Sequence, residues 1–347
     1  MTKQKILYLI THAPNYRDKF FQELGKYVDL TVAAYPGAGS NLQDPSERVG
    51  YKYISLRPMK FMGFHFNPKE YFLANGDYDI IIIGFVIRHP FRIMNIFRRN
   101  KRTIPAGLIY GKSESKFLAS IRKFLLNRSE GVLVYSNMVR NKLKKEIKSP
   151  VRVFNNTSFY ENEITPLHGS PVKNNLNIIW VGRYQERKKI KRLYELAKIE
   201  KRVDIRLIGP GIKDAFKSYS IPSNFKIFDA TYNDGLIDHF RWSHAVMNPG
   251  HAGLLVMSAG KFGRPIIVDC NSAHAPEIQM AKDANQDFID FSCLNKVTQY
   301  IDYIFDHPGY LEMKGIELAE VMKKKYTIEN MVSQYLKAIN GDWKSDL

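Results

Sequence analysis

Apolar and polar positions come in alternating blocks along this chain, short apolar runs giving way to longer amphipathic stretches. KILYLITH is apolar over 6–10 and runs into a Pro-Asn turn, which predicts a strand; RDKFFQELGKY follows with Phe20, Phe21 and Leu24 at helical spacing. VDLTVAAYP predicts a second strand, broken by Pro36 and the glycines of PGAGSN. YDIIIIGF is a continuous run rich in isoleucine, the mark of a strand buried on both faces of a parallel sheet. IPAGLIYG then predicts a strand over 104–111, followed by a helix over 114–126, the strand EGVLVYS and a helix over 137–147. Around 165–175 the text turns to TPLHGSPVKNN, which reads as a linker. The pattern then restarts with LNIIWVG, a helix through KRLYELAKI, the strands VDIRLIGPG, FKIFDA and HAVMNPG, a helix over 254–262, RPIIVD and terminal helices.

Strand and helix alternating throughout predict an α/β chain of two Rossmann-like doubly wound domains in tandem. The first covers 1–165, the second 166–326, and 327–347 forms a terminal segment. A length of 347 residues with 44% hydrophobic and 13% aromatic content suits two such cores. In sheets of this type ligands bind beyond the carboxyl ends of the strands, so the cleft between the two domains is the expected site.

Composition adds three points. The longest apolar run, IIIIGFVI, falls far short of the roughly 20 residues a spanning helix needs, and MTKQKILYLITHAPNYR lacks the apolar block and cleavage site of a signal peptide. A cytoplasmic protein is expected. Cys270 and Cys293 are the two cysteines, without metal-ligand spacing, and read as reduced thiols in or near a core. The net charge of +18 is uneven: residues 1–165 hold 27 Lys and Arg against 13 Asp and Glu, residues 166–347 hold 25 against 21. That asymmetry predicts a polyanionic partner for the front half: nucleic acid, an anionic membrane surface or phosphorylated substrates.

Several segments carry a family resemblance. VGRYQERKKIKRL has Arg183 and Lys188 five residues apart, with Lys189 at a position where Gly is usual; RLIGPG supplies a strand and glycine turn; NPGHAGLLVMSAGKFGRPII and HAPEI follow in order. HAPNYRDKFFQELGKYVDLTV and LIYGKSESKFLASIRKFLLNRSEGVLVYSN add a concordant front half. Together these resemble the retaining glycosyltransferases of the GT-B fold, family 4, in the subset that reads PGxVGL in its donor loop. The resemblance implies a nucleotide-sugar donor, UDP- or GDP-linked, as substrate, with no cofactor and no obligatory metal. It further implies a lipid-linked saccharide acceptor, a role in cell-surface polysaccharide synthesis at the inner membrane face, and a last helix over 328–339 crossing back onto the front domain.

Carried over residue by residue, the resemblance puts Arg183 and Lys188 at the reacting diphosphate and Lys112 at a catalytic position that supplies charge to the leaving group or to the acceptor. Gly182, Gly209, Gly250, His251, Ala252, Gly253, Leu254, Ser258 and Glu277 fall around the donor, and Asn15, Tyr16 and Arg17 on the acceptor side. Physical chemistry agrees: a departing nucleoside diphosphate needs cations and oriented N–H donors where negative charge grows. Glycines before a helix N-terminus let phosphate approach the backbone. Three departures stand out. Gly250 and Ser258 occupy positions where most of the family carries Glu, and Lys112 replaces a His. A GT-B domain that binds sugar or lipid without transfer is the alternative these departures raise.

In the basic half, residues 57–72 interleave bases with aromatics, and residues 88–102 place Phe91, Met94, Ile96 and Phe97 among six bases. That composition suits an anionic lipid surface or acceptor, whereas 116–128 reads as a helix packed on the sheet. Single-stranded nucleic acid is the rival partner, but no RNA-binding signature is present, so none is expected.

Overall fold

A computed structural model describes residues 3–37, 44–57, 59–111, 115–169, 171–231 and 233–344. The chain divides into two compact units, residues 1–158 with 328–347, and residues 159–327.

The first unit is built on a seven-stranded parallel sheet. Its strands are β1 (Lys5–His12), β2 (Asp29–Tyr35), β3 (Lys52–Ser55), then, after a separate antiparallel hairpin of β4 (Met59–Phe61) and β5 (Phe64–Phe66), β6 (Ile80–Gly84), β7 (Arg102–Gly107), β8 (Val132–Val134) and β9 (Val151–Val153). The order across the sheet is β3-β2-β1-β6-β7-β8-β9. The isoleucine run forms β6, where Ile80 to Ile83 are all fully buried, as a strand covered on both faces must be. Leu7, Leu9, Ile81 and Ile83 enter one core. On the other face Tyr8 meets Phe21 edge-on at 5.4 Å, from the helix Asn15–Gly25. The final helix, Ile328–Ile339, packs on that same helix: Tyr335 lies 4.7 Å from Phe20 and shares a 2.9 Å hydrogen bond between its hydroxyl and that of Tyr8.

The second unit holds a six-stranded parallel sheet of β10 (Leu176–Val181), β11 (Val203–Ile208), β12 (Phe225–Phe228), β13 (Ala245–Asn248), β14 (Ile266–Asp269) and β15 (Phe288–Ile289), ordered β12-β11-β10-β13-β14-β15. Neighbouring residues of one strand feed opposite cores: Ile178 and Trp180 enter one, Ile179 the other. The sheet is therefore covered on both faces, as in a doubly wound domain. Its strand order places the topological switch between β10 and β13, beyond whose carboxyl ends ligands bind in such sheets.

The expected elements recur with shifted ends. The helix expected over 114–126 is Lys116–Leu126, that over 137–147 stops at Leu143, and that over 254–262 is Leu255–Lys261. Cys270 and Cys293 are free; Cys270, next to the buried strand β14, is exposed and Cys293 is partly buried. Among the described residues no helix is long and apolar enough to cross a membrane.

Candidate active site

At the switch point of the second unit, the chain leaves β10 through Gly182, whose φ of 150° belongs to the glycine region, and turns through Glu186–Lys188. Lys189 then adopts φ 51°, ψ 29°, a left-handed conformation that explains why Gly is favoured there. This turn brings Lys188 back over Trp180, its Nζ 5.0 Å from the ring centre. A Cβ on Gly182 would lie 2.9 Å from that Nζ, so glycine keeps the ammonium's place open. Gly209, at the end of β11, is equally constrained, since a Cβ there would approach the Gly182 carbonyl oxygen to 2.2 Å.

The loop after β13 is tied to this turn. Trp180 Nε1 donates to Asn248 Oδ1 at 3.1 Å, Asn248 Nδ2 donates to the Gly250 carbonyl at 2.7 Å, and the His251 amide donates to the Arg187 carbonyl at 2.9 Å. Gly250 is pressed so closely that a Cβ would come within 2.5 Å of the Lys188 carbonyl carbon and 2.6 Å of the Arg187 and Lys188 oxygens. No carboxylate side chain fits on this backbone at position 250. The glycine there is a packing requirement of the turn that carries Lys188.

Two histidines complete the loop. His251 Nδ1 donates to the Ala273 carbonyl at 2.7 Å, which leaves Nε2 as an acceptor, and burial lowers its pKa so that the ring is neutral near pH 7. His274 has the opposite tautomer: its Nδ1 accepts from the Ala252 amide at 3.1 Å while Nε2 donates to the Asp269 carbonyl at 2.8 Å. The Ala275 amide in turn donates to the Ala252 carbonyl at 2.8 Å. His274 is thus a strut that holds the loop to the end of β14. The resemblance singled out its segment, but nothing in the sequence marked its role.

Electrostatics single out Lys188. Burial, reinforced by the Arg187 and Arg183 charges, pulls its ammonium down to about 8, and no carboxylate pairs with it among the described residues. Its neighbour Lys189, by contrast, lies 3.3 Å from Asp269. A half-buried, unneutralised ammonium flanked by glycines at a switch point is an arrangement that seeks an anion.

The other sequence-identified residues fall as follows. Arg183 directly follows Gly182; Gly253 and Leu254 lead into the helix Leu255–Lys261; Ser258 is half-buried within it; Glu277 precedes the helix Ile278–Asp283. Lys112 lies outside the described residues. In the first unit Asn15 and Tyr16 are exposed at the start of their helix, whereas Arg17 is 4% exposed and donates to the Tyr135 hydroxyl. Arg17 is therefore held within the fold rather than presented to solvent.

Sequence reasoning missed a polar cluster in the first unit. Arg92, fully buried, donates through Nε to Glu70 Oε1 at 2.8 Å and through Nη1 to Thr11 Oγ1 at 3.0 Å. His89 stacks with both His65, at 4.5 Å, and Tyr35, at 5.5 Å, these two being 5.9 Å from each other, and its Nδ1 lies 3.5 Å from Glu70 Oε2. Burial pushes the His89 pKa down to about 4 against the pull of Glu70. Burial alone would raise the Glu70 carboxyl, but His89 and Arg92 hold it below its usual range. The cluster draws on five separated segments, so no short motif announces it.

No protein-family model and no curated protein matches the sequence. In three dimensions the chain is similar to a glycosyltransferase from Rickettsia africae, at 13% identity over 99% of this chain and 100% of that one, with a TM-score of 0.73. It is similar to HepE of Anabaena in complex with UDP, at 11% identity over 97% and 100%, TM-score 0.72. Sucrose-phosphate synthase from Thermosynechococcus elongatus aligns at 12% identity over 97% and 98%, TM-score 0.70. Identities this low speak to architecture, and the architecture is plain: the chain has the GT-B fold, two Rossmann-like doubly wound α/β domains.

Proposed function

We propose that the chain is a retaining glycosyltransferase that moves a sugar from a UDP- or GDP-linked donor to a lipid-linked saccharide in cell-surface polysaccharide synthesis, at the inner face of an anionic membrane. The observation that carries this is Lys188, a desolvated ammonium without a carboxylate partner among the described residues, set between Gly182 and Gly250 at the β10/β13 switch point.

On this reading Lys188 and Arg183 take up the charge of the leaving diphosphate, with the backbone of Gly250 and Gly253 close enough to share it. His251 offers a neutral Nε2 to a sugar hydroxyl. Ser258 supplies one hydrogen bond where a family Glu would grip the ribose, and Glu277 contributes on the sugar side. The bond from the anomeric carbon to the phosphate oxygen breaks, the acceptor oxygen bonds to that carbon on the same face, and its proton passes to the departing phosphate. No protein carboxylate is needed as nucleophile, which is compatible with glycine at position 250. Because the fold requires that glycine to seat Lys188, its presence does not favour a binding-only protein.

The test is a panel of UDP- and GDP-sugars incubated with the protein and a membrane lipid extract. Release of nucleoside diphosphate from at least one donor, with the sugar appearing on lipid in its original anomeric configuration, is the expected outcome. Inversion would overturn the retaining mechanism, and transfer only to a water-soluble acceptor would overturn the lipid-linked one.

A further inference from the structure

The bases and aromatics of 57–102 separate into two classes in the structure. Most of the cations after position 90 are spent inside the fold: Arg92 on Glu70, Arg98 on Asn75 and the Tyr71 carbonyl, Lys101 on the Gly76 and Tyr78 carbonyls, Arg102 on Glu130 and the Ile339 carbonyl. The hairpin formed by β4 and β5 belongs to the other class. Its register pairs Met59 with Phe66, Lys60 with His65 and Phe61 with Phe64, so one face consists wholly of Met59, Phe61, Phe64 and Phe66.

That face is open. Met59 is 70% exposed, Phe61 66% and, at the turn, Met62 83%. The opposite face is anchored: His65 stacks on His89, and the His65 amide donates to the Arg88 carbonyl at 2.8 Å. An isolated two-stranded ribbon is marginal in water, and here the stack fixes it. The turn is strained as well. Met62 and Gly63 have φ of 45° and 78°, both central positions of the turn on the left-handed side, where Asn or Asp usually precedes the Gly. Methionine at the most exposed, conformationally unfavourable position is poorly explained by stability alone.

We infer that this hairpin is a membrane wedge, inserting Met59, Phe61, Met62 and Phe64 among the acyl chains of an anionic bilayer. Charge complementarity selects that occupant over a second copy of this chain. Arg57, Lys60, Lys69 and Arg88 are exposed around the hairpin and have no carboxylate partner among the described residues. No acidic residue occurs between Arg48 and Glu70, and Glu70 itself is fully buried against Arg92. Two copies meeting on this face would set like charges together, whereas anionic headgroups neutralise the ring of bases while the apolar tip enters the boundary beneath them. The inference rests on the reading above that the first unit meets its acceptor at a membrane.

The test is flotation of the full chain with phosphatidylcholine vesicles, with and without phosphatidylglycerol. The wild type is expected to partition onto the anionic vesicles, and the Phe61→Ser/Met62→Ser double variant to lose about tenfold or more of that partitioning. Unchanged thermal unfolding shows that this variant is folded. A Met313→Ser/Ile316→Ser control, altering exposed apolar residues of the second unit, keeps wild-type partitioning. Equal partitioning of the hairpin variant and the wild type would overturn the inference. So would indifference of the wild type to phosphatidylglycerol, or a dimer in sedimentation that the hairpin variant abolishes. Vesicle binding without nucleoside diphosphate release from any donor leaves the wedge standing and contradicts only the glycosyl-transfer reading.

Discussion

Replacing Lys188 with Met is expected to lower glycosyl-transfer turnover by about 10²–10³-fold, the usual consequence of deleting one charge-stabilising group at a leaving group. The same variant is expected to unfold at the wild-type temperature or above it. Lys188 holds a charge that burial disfavours and that no carboxylate neutralises among the described residues. Methionine keeps the packing over Trp180 while removing the desolvated ammonium. Loss of turnover with no loss of stability separates a residue kept for an anion from one kept for the fold. Steady-state rates beside a thermal melt decide the point, and near-normal turnover would remove Lys188 from the diphosphate.

Arg92→Met is expected to do the reverse, costing stability rather than acting at the donor. Glu70 and Arg92 are both fully buried, and removing the guanidinium leaves the carboxylate with only uncharged company, His89 and Tyr35, among the described residues; breaking a pair of this kind costs about 3–5 kcal/mol. Denaturant unfolding measures the loss. The double variant Glu70→Gln/Arg92→Met is expected to recover much of it, since no buried charge is then left alone. Equal stability of wild type and Arg92→Met would mean that Glu70 finds another partner or takes up a proton.

How much of this was legible beforehand varies with the kind of signal. The strands β6 and β10 were readable because apolar runs bounded by turns are local, and the parallel doubly wound class followed from alternation with helices, whereas the order of strands across each sheet did not. Gly182, Lys188 and Gly250 could be singled out by resemblance, but the reason for glycine at 250 is a backbone contact with residues 187 and 188, remote in sequence. The apparent loss of a carboxylate therefore becomes a steric condition for placing a cation. The hairpin was missed for a local reason. Its turn is Met-Gly, and without Asn or Asp before the glycine the segment MKFMGFHF reads as aromatic-basic text with no turn signal. The sequence could not sort the bases of 57–102 either, because Arg92 and Arg88 look alike until Glu70 is found beside one of them. The helix Lys116–Leu126 shows the same limit: Leu125 and Leu126 pack inward as expected, while Phe117 and Phe124 stay exposed.

The central claim is that a nucleoside diphosphate sits on Lys188, and its affinity as a function of pH tests that most directly. The free ammonium titrates at about 8, and a bound diphosphate holds it protonated. Below that pH binding requires no proton uptake; above it each complex must take up a proton, so affinity falls by up to about tenfold per pH unit. Calorimetric titration of UDP and GDP between about pH 7 and 9.5, where the terminal phosphate is already ionised, should show wild-type affinity flat at first and then weakening past about 8. Lys188→Met should bind weakly with no such break. Absence of binding at any pH, or the same break in the variant, would contradict the account.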